Sequence, residues 1–124
     1  MPDQGAELGV DLYWLSTVAN DDLPTVANVF HDASGHVASA GRPVSGLMAR
    51  AGAFGGGTSS IFAAWDELWA TTTKFIGDTG TNLDDTAHAL NLAIDHYVHT
   101  DGTVKASFDG MNLQNGVPHA DPAK

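Results

Sequence analysis

Counting every seventh residue from Phe62 gives Phe62, Trp69, Ile76, Leu83, Leu90, Tyr97 and Val104, an apolar series without a break. The row beside it, Trp65, Thr72, Thr79, Thr86, Ala93 and Thr100, is mostly small. A seven-residue period with bulky side chains in one row and small ones in the next belongs to a helix that packs closely on another helix. A strand repeats every two residues and leaves no such series. The pattern predicts one long helix from about Ser59 to about Asp101, on the order of 60 Å at about 1.5 Å per residue. Gly77 and Gly80 weaken it by about 1 kcal/mol each relative to Ala, and Thr81 with Asp84 offers a capping box for a separate helix. Because the phase runs from Ile76 to Leu83 undisturbed, the reading is a continuous helix.

The first half repeats the period more weakly, in Leu23, Phe30, Val37, Val44 and Ala51 with Val26, Ala33, Ala40, Leu47 and Phe54 beside them. A helix is expected to start near Asp22 as its cap, with Pro24 in the first turn, where a missing N–H costs little. Pro43 predicts a kink or break near Gly41-Arg42-Pro43. Leu12, Leu15, Val18 and Ala19 add a short helix from Asp11 to Asn20. Between the two periodic segments lies AFGGGTSS, whose glycines end one helix and whose Thr58 or Ser59 caps the next, so the pair forms a hairpin. After Phe108 no period is evident, and the tail is expected to be mobile. The expected fold is all-α: residues 1–20 an extension with a short helix, 21–108 an antiparallel helical hairpin with a long second helix, and 109–124 a disordered tail.

Composition removes several function classes. The 124-residue chain is 43% hydrophobic, enough for one modest core. Fifteen acids against five Lys and Arg give a formal charge of −10, which argues against nucleic acid and favours a partner with a basic surface. The absence of cysteine excludes disulfides and thiolate zinc sites. No window approaches the roughly 20 apolar residues of a membrane span. Asp3, Glu7 and Asp11 stand where a secretory leader would carry Lys or Arg and then an apolar run, so no cleavable signal is expected.

The six histidines include Asp84/His88 and Asp95/His99 at i,i+4 and His96/His99 at i,i+3. No metal signature frames them, and the heptad turns them away from the seam, so they are read as a solvated helix face with no metal site. Ser59 and Ser60 have no base placed against them by any pattern, and no catalytic set or cofactor is expected. GAFGGG follows a helix and lacks the lysine of a phosphate loop. Phe62, Trp65 and Trp69 read as hairpin core, whereas Leu68 and Phe75 widen the apolar stripe beyond what two helices bury. That excess calls for a third surface, either the short helix around Trp14 or another chain, which Leu68, Phe75, Trp65 and Trp69 would meet.

On these residues the chain resembles the small WXG-type helical-hairpin proteins of type VII (ESX) secretion systems, as a divergent member. Tyr97-Val98-His99-Thr100-Asp101 matches the family's Tyr-x-x-x-Asp letter for letter, and Phe54-Gly55-Gly56 stands in place of its Trp-x-Gly turn, 43 positions before Tyr97. The resemblance covers roughly residues 20 to 105. It implies a secreted or cell-surface protein, made in the cytoplasm without a cleaved signal, that pairs as a homodimer, or as a heterodimer with another small hairpin protein, into a four-helix bundle. It further implies that Tyr97 and Asp101 form an export epitope read by the secretion ATPase or a chaperone of the apparatus. Phe54 in place of Trp, the segment before Asp21, Pro43 and the longer tail depart from the family pattern. The competing reading is a cytoplasmic adaptor or chaperone-like helical module that is never exported.

Overall fold

The computed structural model describes residues 4–41, 49, 52–57 and 59–119, with the side chain of Phe54 outside that set. Among the described residues the fold is all-helical, with no β-strand. The elements are α1 (Gln4–Thr17), a π-helical turn (Val18–Asp22), α2 (Leu23–Gly41), a 3-10 turn (Gly52–Phe54), α3 (Ser60–Thr100) and α4 (Gly102–Asn115). They fall into two compact units, one of Met1–Asn28 with Thr81–Lys124 and one of Val29–Gly80.

The long helix keeps its expected limits and runs unbroken through Gly77 and Gly80. Ser59 starts it: its Oγ accepts the N–H of Ile61 at 3.3 Å and its carbonyl accepts that of Phe62 at 2.9 Å. Gly55, Gly56 and Gly57 precede it with φ of 89°, 61° and 77°. Three successive residues in the left-handed region are open to glycine at little cost, and the GGG run is a turn for that reason. Thr58, the other candidate cap, lies outside the described residues.

In the unit of Val29–Gly80, α2 and α3 pair antiparallel. The Trp69 indole N–H donates to the carbonyl of Val37 at 2.6 Å, and Ser34 Oγ donates to the carbonyl of Thr73 at 3.1 Å. A Cβ on Gly80 would lie 2.8 Å from the His31 ring, one on Gly77 would lie 3.2 Å from Ser34 Oγ, and one on Gly41 would collide with the Trp69 indole. The two glycines of IGDTG are therefore seats for α2 side chains, and their cost in helix propensity is offset by close approach.

The other unit holds a core of Leu12, Ile94, Val98 and Val104, with Phe108 packed against it. Burying each such side chain stabilises by about 1.5–3 kcal/mol. Tyr13 and Ala19 are also buried on the N-terminal segment.

Three expectations need correction. First, Asp22 caps nothing, and no separate helix ends at Asn20: the chain is helical from Gln4 to Gly41. Pro24 sits inside this run, where an α-helix would require its missing N–H to bond Asn20 O and would press its ring on that carbonyl. The helix answers with a π turn, in which the Leu23 N–H reaches back five residues to Val18 O. Second, order does not end at Phe108. A helix continues to Asn115 and packs on α1, with Ser107 Oγ donating to Ala6 O at 2.6 Å and Tyr13 OH donating to Gly116 O at 2.9 Å. At Gly9 the approach is so close that a Cβ would lie 2.7 Å from the carbonyl oxygen of Val104. Third, the heptad row is half-buried from Phe62 to Leu90 but fails at Tyr97, because the buried face of α3 follows an eleven-residue phase: Trp69, Gly80 and Asn91; Thr72, Leu83 and Ile94; Ile76, Ala87 and Val98 are all buried or half-buried. The break expected at Gly41-Arg42-Pro43 finds α2 ending at Gly41, with residues 42–48 outside the described set.

Candidate functional site

Tyr97 lies in the last turn of α3 and is 53% exposed, so it is not a seam residue. Its ring meets that of His96 edge to face, with centroids 5.9 Å apart. Asp101 does not continue the helix: at φ −133° and ψ 117° its backbone is extended, and it is the N-cap of α4. Its Oδ1 accepts the N–H groups of Thr103 at 2.9 Å and Val104 at 3.2 Å. A carboxylate at this place satisfies two otherwise unpaired donors and faces the favourable end of the α4 dipole. The long helix, expected to reach about Asp101, thus stops at Thr100, and Asp101 begins the next helix. Local stability does account for it. Both residues nevertheless remain exposed at one junction whose backbone is fixed by the cap.

The second candidate surface lies in the unit of Val29–Gly80. Leu68 is 61% exposed and Phe75 72% exposed, and with Ile61 and Trp65 they follow at positions 61, 65, 68 and 75, the spacing of one helix face. Trp65 and Leu68 also border a groove of about 230 Å³ shared with Val37 and Ala40. Trp69 differs from the other expected contacts: half-buried, it is held by its hydrogen bond to Val37 and its packing on Gly41. The stripe is flanked by exposed Asp66 and Glu67, while Lys74 is paired with Asp78. In the turn, Gly56 adopts the left-handed backbone described above, and the Phe54 side chain, the proposed counterpart of the family tryptophan, lies outside the described residues.

Of the histidine pairs, His99 Nδ1 lies 3.0 Å from Asp95 Oδ1 and both groups are exposed, an ordinary i,i+4 contact. No group of three or more His, Cys, Asp or Glu among the described residues is arranged to hold a metal ion. None of their helices is long and apolar enough to cross a membrane. The reading of the sequence missed the cleft in the first unit lined by Asn20, Asn91 and Asn112. Its walls come from helices brought together by the α1–α4 packing, and no local spacing announces them.

Comparison with protein-family models, curated proteins and solved structures gives no match.

Proposed function

We propose that this chain is a small export substrate of a type VII (ESX) secretion system, active through association of helices and through an export epitope at Tyr97 and Asp101. The observation that carries the reading is the exposed apolar face of α3, formed by Ile61, Trp65, Leu68 and Phe75. An apolar stripe of this kind on an isolated chain is best covered by another helix pair, giving a four-helix bundle. The partner is a second copy or another small helical-hairpin protein, and the acidic flanks and the charge of −10 favour one with basic residues beside its own stripe.

Support for the epitope is the exposure of Tyr97 in the last turn of α3 and of Asp101 at the junction that follows, where the cap fixes the carboxylate. An exposed aromatic ring and a charge at one junction suit a groove with a basic rim on the ATPase or on a chaperone of the apparatus. The apolar stripe serves equally well in a cytoplasmic adaptor that is never exported, so Tyr97 separates the two readings. Tyr97→Ser should remove the protein from the culture medium of a host carrying the apparatus while the intracellular protein keeps its helical circular dichroism. Unchanged export of Tyr97→Ser would remove the epitope from the proposal.

A further inference from the structure

We propose that the cleft in the unit of Met1–Asn28 and Thr81–Lys124 is a binding site for a small uncharged ligand with an apolar body and a carboxamide edge. The cleft has a volume of about 470 Å³, within the range of roughly 300–1,000 Å³ in which small-molecule sites fall. Its apolar lining includes Ile94, Val98, Phe108 and Pro118. This is surface against which a ring or a short aliphatic chain would be desolvated.

In the lining Asp109 is paired with Lys105 at 2.5 Å, and Asp95 is in contact with His99 Nδ1 at 3.0 Å, each within one helix. An anion would find no uncommitted ammonium there, whereas a neutral ligand leaves both contacts intact.

The polar part of the lining is made of amides. Asn20 and Asn91 bond each other reciprocally, Nδ2 of each to Oδ1 of the other, at 3.0 and 2.8 Å. The second hydrogen of Asn20 goes to Ser16 O at 2.8 Å, which leaves one amide hydrogen of Asn91 over. Asn112 also lines the cleft, and its Oδ1 is buried without a hydrogen-bond partner among the described residues. An acceptor in that state costs stability unless something supplies a donor. That oxygen has no accessible surface in this conformation, so a carboxamide, which offers donor and acceptor side by side, meets it once the Asn112 side chain turns its amide towards the cleft. The Asn20–Asn91 pair shows that two-bond arrangement in the same cleft. The inference is independent of export.

The full chain, labelled with nitrogen-15, is titrated with benzamide, toluene, benzoate and benzylamine at millimolar concentration. Benzamide is expected to move the side-chain amide signals of Asn112 and Asn91 and to bind about tenfold more tightly than the three others, the worth of one to two hydrogen bonds in a desolvated site. Asn112→Leu should weaken benzamide about tenfold and leave toluene unchanged. Equal binding of all four, preference for a charged probe, or no shift at cleft residues would overturn the proposal, as would benzamide binding unaffected by Asn112→Leu. If Asn112→Leu loses its helical circular dichroism, the four-probe series on the unaltered chain decides by itself.

Discussion

The carboxylate of Asp101 accepts the backbone N–H of Val104 at 3.2 Å, and that of Thr103 at 2.9 Å, so that α3 ends and α4 begins at a single side chain. Val104 is in turn the most deeply buried member of the core it shares with Leu12, Ile94 and Val98. A capping interaction therefore places a core residue.

Replacing Asp101 with Ala should destabilise the protein by about 0.5–2 kcal/mol, while Asn, which caps as well as Asp, should cost only a few tenths. Urea denaturation followed by circular dichroism measures both. Tyr97 is half-exposed and can be truncated cheaply, whereas Asp101→Ala confounds recognition with folding and Asp101→Asn does not. Asp85, exposed on α3, serves as the control carboxylate, whereas Asp95 is in contact with His99.

Two helical glycines should respond with opposite sign. A Cβ added at Gly35 would meet no atom within 4 Å, and Ala there should stabilise by about 0.4–1 kcal/mol. At Gly9 the Cβ would meet Ser107 Cβ at 2.6 Å and the backbone of Val104 at 2.7 Å. Ala at Gly9 should cost about 1–3 kcal/mol by forcing α1 and α4 apart. Thermal melts of the two variants test the α1–α4 contact directly.

The phase of α3 was only partly legible in its sequence. An ideal helix drifts about 20° per heptad against a strict seven-residue repeat, so the five heptads from Phe62 to Tyr97 accumulate about 100°. The row that starts half-buried at Phe62 thus emerges at Tyr97, while Ile94 and Val98 turn inward. Ile94→Asp should cost more than about 3 kcal/mol, since it buries an unpaired charge, and Leu92→Asp should be tolerated. Equal melting of the two would mean that the eleven-residue phase is wrong.

What local chemistry determines was readable: the Ser59 cap, the glycine turn, and the exposed excess at Leu68 and Phe75. What depends on distant packing was not. α4 was hidden because its large apolar residues, Val104, Phe108, Met111 and Leu113, are few, although Asp101 as a cap and Lys105 with Asp109 at i,i+4 were local signals for it. The π turn was hidden because Pro24 is equally at home in a first turn, and only the continuity of α1 into α2 shows otherwise.

Association should depend on the stripe without depending on the core. Leu68→Ser with Phe75→Ser should shift the protein towards monomer in light scattering at micromolar concentration. Its monomer should melt within about 0.5 kcal/mol of the original stability, as expected for exposed positions. A chain already monomeric at high concentration, alone and with candidate hairpin partners, would leave the stripe without its proposed role.

The most direct measurement compares culture filtrate from two hosts expressing the unaltered chain, one with an intact type VII apparatus and one lacking its ATPase, with a cytoplasmic enzyme assayed as the lysis marker. An export substrate is found in the first filtrate, free of the marker, and is confined to cells in the second. Retention inside the cell in both hosts would contradict export and leave the cytoplasmic adaptor as the function of the same helical surface.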